Sequence, residues 1–259
     1  MDKKLKKIVN DKTSGSSEIL FELHNHLKNE KKLITLFPEI IELTKKQFKS
    51  FQSIQKYLND MSLFLKKRKG LEFFFEKYDQ IFRKSLIGLK ANAKQILNNY
   101  SSFITISNSN TLFEVLKELN QSKKKIKIFV LESRPKFEGR ILAKKLSALS
   151  NIKIHLITEA MMADSVKKVD AALIGADSIL ATGDVINKMG SLQLALLCKE
   201  MNKPFYVVAD KNKFSKSRTF SQNEMPPEEI WRHKSKNLIV QNFYFEKVDK
   251  NLITEIITD

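Results

Sequence analysis

The sequence is short of several residue types, and each shortage removes a class of protein. Its 259 residues hold one cysteine, Cys198. No intrachain disulfide can form, and neither a zinc ribbon nor a disulfide framework is available; such cysteine usage suits a reducing compartment. No window approaches the roughly 18 uninterrupted apolar residues that a membrane-spanning helix needs. The start, Met1-Asp2-Lys3-Lys4-Leu5-Lys6-Lys7, lacks the apolar stretch of a secretory signal, so a cytoplasmic location is expected. Arginine is scarce as well, at 6 of 46 basic residues. No G-x-G-x-x-G and no G-x-x-x-x-G-K-[ST] occurs, which argues against a standard dinucleotide site or P-loop. Internal repeats and long low-complexity segments are likewise lacking.

What is present is an ordinary globular composition with a strong basic excess. Apolar residues make up 42% and charged residues 29%, and the net charge is +17. A chain of this length forms one large or two small domains and can bury about 70–75% of its unfolded surface. The charge invites a nucleic-acid reading. Yet the excess is spread along the chain, and 40 of its 46 basic residues are lysine, whereas base-edge readout favours arginine. A solvated lysine-rich surface is the preferred reading, with nucleic acid a weaker one and an anionic ligand compatible with both.

The pattern changes near residue 100. From Ser16 to Asn98 the periodicity is helical. Ile19, Leu20, Leu23 and Leu27 share one face, as do Phe48, Phe51, Ile54, Tyr57, Leu58 and Met61. Pro38 marks a helix start. Four or five helices are expected over 1–99. The polar break Asn98–Ser102 follows, and over 100–259 short β-branched runs alternate with helical stretches. Strands are expected at Phe103–Ile106, Ile126–Leu131, Lys153–Ile157, Ala172–Ile174, Phe205–Val208 and Leu238–Val240. Helices are expected at Thr111–Asn120, Phe137–Leu149, Ala160–Val166, Ser191–Met201 and Leu252–Thr258. This alternation predicts an α/β class: an N-terminal helical bundle, then a doubly wound parallel-sheet domain. Ligands in such folds sit beyond the carboxyl ends of the strands.

The post-strand segments are therefore the ones to read for chemistry. Ser107-Asn108-Ser109-Asn110-Thr111 could cradle an anion at a helix start, or Ser109 or Asn110 could simply cap that helix. Arg134 precedes a proline and suits a phosphate, while a salt bridge from Glu132 to Arg134 or Arg140 fits the spacing equally well. Asp177, leaving a strand end, is a candidate proton shuttle. Asn187 and Lys188 stand before Gly190-Ser191 near another helix start. A capped turn with a solvated lysine explains neither Asn187 nor Asp177 well. No metal or cofactor is expected.

Taken in order, ITISNS, LESRPKFEGR, IGADSI, GDVINKMGS and KPFYVVADKNKF resemble a family with two branches. One holds the alpha, beta and delta subunits of translation initiation factor 2B. The other holds two sugar-phosphate isomerases, for methylthioribose 1-phosphate and ribose 1,5-bisphosphate. The likeness is dense from Phe103 to Phe214 and weaker to the C-terminus. It implies a helical domain on a Rossmann-like domain, dimerised through the latter, and a phosphorylated sugar or nucleotide as ligand. Asp177 falls on the isomerases' catalytic aspartate, Asn187, Lys188 and Lys213 on ligand-binding positions, and Ser109–Thr111 on the phosphate-contacting turn. Ser107 replaces the cysteine that shares the proton transfers, and a hydroxyl is a far poorer acid or base than a thiol of pKa about 8.5. Cys198, on an apolar helix, is no substitute. Ser14 also stands where the ribose 1,5-bisphosphate isomerases carry an arginine, and Lys49-Ser50 is the nearest counterpart of their second N-terminal arginine motif. The expectation is a regulatory-type binding protein, a homodimer or larger homo-oligomer able to meet initiation factor subunits. An aldose–ketose isomerase is the alternative.

Overall fold

The computed structural model describes residues 2–30, 35–66, 70–122 and 125–259. Five helices come first: α1 (Lys3–Val9), α2 (Ser16–Asn29), α3 (Phe37–Gln47), α4 (Gln52–Lys66) and α5 (Leu71–Leu97). Asp2 caps α1, its Oδ1 accepting the Lys4 and Leu5 N–H groups at 2.8 and 2.9 Å, and Pro38 lies in the first turn of α3. The apolar faces read from the sequence converge, with Leu23, Leu27, Phe37, Ile54, Tyr57, Leu58, Met61 and Phe74 all fully buried in one cluster. The last turns of α5 leave that cluster. Leu89, Ala93 and Leu97 pack instead against the sheet side of the molecule.

That side is α/β. A six-stranded parallel sheet runs in the order β3-β2-β1-β4-β7-β9. Its strands are β1 (Ser102–Thr105), β2 (Ile126–Leu131), β3 (Ile152–Ile157), β4 (Ala171–Ile174), β7 (Phe205–Val208) and β9 (Glu255–Ile257). Helices α6 (Asn110–Ser122), α7 (Glu138–Ser147), α8 (Met162–Val166) and α9 (Ser191–Glu200) connect them. The inner strands are apolar on both faces, as Phe103 and Ile104, Leu173 and Ile174, and Val207 and Val208 show, because helices cover both sides. The order reverses between β1 and β4, so the end of the sheet at Thr105 and Ile174 is where a crevice must open.

A small antiparallel sheet, β5 (Ser178–Ile179), β6 (Val185–Lys188) and β8 (Phe245–Val248), folds over that end. These strands were not expected; each is short and pairs only through tertiary contact. Two expectations are corrected. Leu238–Val240 is not a strand but part of an exposed turn closed by a single Ser235–Leu238 bridge, with Ile239 85% exposed. Leu252–Thr258 is not a helix: a 3-10 turn (Lys250–Leu252) leads into β9. Its apolar residues fit a helical period, but their β-branched side chains take the open edge of β7.

Candidate functional site

A partly enclosed cavity of about 130 Å³ lies at this switch point, between the helical and sheet parts. Its polar floor comes from residues that immediately follow strands or begin helices. Asp177 stands three residues past Ile174, the last residue of β4. Gly175 makes that approach possible, because a Cβ there would lie 2.6 Å from Ser109 Oγ. Ser107 follows β1 in a left-handed conformation (φ 72°), and its N–H donates to Ser133 Oγ at 2.8 Å. Gly15 meets the same loop so closely that a Cβ would lie 2.9 Å from the Asn108 carbonyl.

Beside the floor is a small recess bordered by Gly15–Ser17, Ser109, Asn110, Asp177, Asn187 and Lys213. Two helix N-termini meet there, those of α2 and α6. The N-cap of α2 is Gly15, which supplies no side-chain cap; the Asp177 carboxylate accepts from the Ser16 N–H there, and such an end with a lysine beside it suits an anionic group. Lys213 is 4% exposed and donates to Ser16 Oγ, which in turn donates to Asp177 Oδ1 at 2.9 Å. Burial pushes the Asp177 carboxyl above the usual carboxylate range, with Lys213, Ser16 and Lys188 opposing.

Lys188, the last residue of β6, is 3% exposed and pairs with Glu138 at 2.5 Å, its ammonium also 4.6 Å from the Tyr244 ring centre. Glu138 opens α7 and is 6% exposed. Burial raises its pKa although Lys188 opposes, and its Oε2 has no hydrogen-bond partner. Two carboxyls of raised pKa thus line one cavity. On the opposite side the wall is aromatic: Phe48 stacks on Phe51 (5.6 Å, 10°), and Phe51 meets Phe245 edge-on at 5.7 Å.

The structure thus gathers Ser107, Ser109, Asn110, Asp177, Asn187, Lys188 and Lys213 around one crevice. Ser109 also caps α6, accepting the Leu112 N–H at 3.2 Å. Thr111 donates to Ser17 Oγ at 3.2 Å and faces away from the recess. Asn187 donates to Ser191 Oγ at 2.9 Å, so part of its capacity holds the start of α9. Arg134 lies outside the cavity, exposed, with its guanidinium 4.9 Å from the Phe137 ring centre. The salt bridge read from the spacing forms through Arg140, which meets Glu132 at 2.7 Å. Cys198 is fully buried and its thiol is pushed up to about 12 by burial.

Sequence reasoning missed Glu138 and the aromatic wall. Glu138 had a signal: it lies in the segment that follows β2, seven residues past Leu131. Phe48 and Phe51 had none, since both fit a helical core face.

The model of the Initiation factor 2 subunit family matches residues 5–259. The chain belongs to that family. Over 165 residues it is 34% identical to a translation initiation factor eIF-2B subunit 2-like protein of Pyrococcus furiosus, covering 64% of this chain and 58% of that one. Over 175 residues it is 33% identical to a ribose 1,5-bisphosphate isomerase of Archaeoglobus fulgidus, covering 64% and 54%. The matches span little more than half the length of these relatives. Its fold matches a 5-methylthioribose 1-phosphate isomerase of Pyrococcus horikoshii with a TM-score of 0.78 at 20% identity, over 98% of this chain and 81% of the other. An eIF-2B-like protein and a ribose 1,5-bisphosphate isomerase are therefore both among its relatives, and the shared fold accounts for the layout of helices and parallel sheet. Among the described residues no helix is long and apolar enough to cross a membrane.

Proposed function

We propose that this family member is a regulatory-type, initiation factor 2B-like protein of the cytoplasm that binds a phosphorylated sugar or nucleotide without converting it. The observation that carries the reading is Ser107. By the resemblance it falls where the isomerases hold their reactive cysteine, and none of the cavity's lining residues is a histidine that could activate its hydroxyl. What supports binding is the recess and its wall: Lys213 and the two helix N-termini suit a phosphate, and the aromatic wall suits the face of a sugar or base.

Phosphorus and proton NMR of the protein with ribose 1,5-bisphosphate, methylthioribose 1-phosphate and AMP tests this. Line broadening without new ketose signals is expected for at least one of the three. Lys213→Ala should weaken that binding about tenfold or more, since it removes a charge-assisted contact. Turnover on the order of 1 s⁻¹ would sink the non-catalytic reading.

One observation favours the isomerase alternative. An aldose 1-phosphate needs one group to move a proton between C1 and C2 and another to open the ring. Asp177 and Glu138, both with raised pKa, are two such groups in one cavity. As for assembly, we propose a homodimer through the sheet side, able to meet initiation factor subunits. Light scattering at micromolar concentration should then give about twice the 30.0 kDa chain mass; a monomer mass would overturn it.

A further inference from the structure

Adjoining the proposed ligand cavity, with which it shares Asp11, Lys12 and Thr13, a shallow open cleft of about 600 Å³ runs along α1. Lys3, Lys6, Lys7, Lys12 and Lys136 line it, with Asp11 its one carboxylate. Lys3, Lys6 and Lys7 are held together on the solvent face of α1 because Leu5, Ile8 and Val9 bury the other face. Like charges at this spacing repel, so the arrangement costs stability unless an anion answers it.

Two of the cleft's five lysines already share a carboxylate partner, and that carboxylate leads to an aromatic feature. Lys136 and Lys12 reach Glu229 at 3.3 and 3.9 Å, and Glu229 ends the 3-10 turn Pro227–Glu229. The Trp231 N–H donates to the Pro227 carbonyl at 3.1 Å, so the indole departs from that same turn. Trp231 is 57% exposed and stacks on His233 with ring centres 4.8 Å apart and planes 26° apart. From Ile230 to Gln241 the chain carries Arg232, Lys234 and Lys236 and no carboxylate. Lysines that track a phosphate backbone beside an exposed aromatic stack are the two components of single-strand recognition. A duplex would hide the base faces the indole needs. A second copy docked here about a two-fold axis would set Arg232–Lys236 against its own like charge.

We propose that the α1 cleft and the Trp231–His233 stack form a docking surface for single-stranded RNA, read by charge and stacking without base-edge specificity.

Trp231 is the chain's single tryptophan, so its emission reports on the surface directly. The full chain is titrated with 12-nucleotide oligouridylate and oligoadenylate at several salt concentrations. Saturable quenching is expected, with affinity falling as salt rises. The triple variant Lys3→Ala, Lys6→Ala, Lys7→Ala should flatten the log–log salt slope by about 2, at roughly 0.7 per lost phosphate contact on a single strand. Trp231→Ala, followed by anisotropy of end-labelled oligomers, should bind roughly tenfold more weakly. Circular dichroism checks that both variants keep their helices. Unquenched emission would overturn the proposal, as would full affinity in Trp231→Ala, or tighter binding of duplex RNA or heparin that leaves the emission unchanged. A blue shift that grows with protein concentration alone would overturn it too, by placing a second copy on the surface.

Discussion

Replacing Lys188 with methionine is expected to cost the fold about 3–5 kcal/mol at pH 7, read by denaturant unfolding. The cost arises because Lys188 and Glu138 are 3% and 6% exposed, and removal of the ammonium leaves a carboxylate desolvated beside a methyl group. The penalty should depend on pH, with a definite sign. Burial already holds the Glu138 carboxyl above its ordinary value, with Lys188 opposing, so loss of Lys188 raises it further. A carboxyl raised in the folded state contributes stability that is full below its unfolded pKa of about 4.3 and is lost as pH rises through the folded value. The variant should therefore approach the parent at pH 4 and fall away toward neutrality. The double variant Glu138→Leu, Lys188→Met should recover most of the loss, because a buried ion pair is replaced by apolar residues of similar size. A pH-independent loss below 1 kcal/mol would show that water reaches the pair.

Gly139→Ala should be as damaging for a purely steric reason. A Cβ at this position would lie 1.7 Å from the Leu131 carbonyl oxygen and 2.9 Å from its carbon, with Ser133 Oγ at 3.0 Å. Backbone, not a flexible side chain, is in the way, so α7 would have to move off the end of β2 by more than 1 Å, taking Glu138 away from Lys188. A loss above about 4 kcal/mol, or failure to fold, is expected in thermal unfolding. Gly70→Ala, where a Cβ meets nothing within 4 Å, is the matched control and should leave the midpoint within a few degrees. Equal midpoints for the two variants would refute the contact.

The reach of sequence reasoning differs between the two halves of the molecule and between the floor and the walls of the site. The helices from Ser16 to Leu97 were legible because they carry apolar stripes, and the inner parallel strands because helices on both faces demand continuous apolar runs; α1 lay outside the stretch read as helical. Edge elements were not. β9 carries a helix-like spacing of isoleucines and becomes a strand only because β7 leaves an edge to pair with. β5, β6 and β8 are two to four residues each, too short for any period to show.

Within the site, Asp177 was legible as a polar residue past a strand end, and Asn187 and Lys188 as polar residues just before a helix start. Arg134 looked equivalent, yet the loop turns its guanidinium onto Phe137 at the surface. Local sequence thus determined which segments are helices, which are inner strands and which polar residues follow them. Only the tertiary structure decided which of those residues face one another: that Glu138, fifty positions from Lys188, is its counter-charge, and that Ser16 links Lys213 to Asp177 across 197 and 161 positions. The physical reason is the same in each case. A strand or helix is specified by interactions among near neighbours, whereas a buried charge is specified by whatever distant group the fold brings within about 3 Å of it.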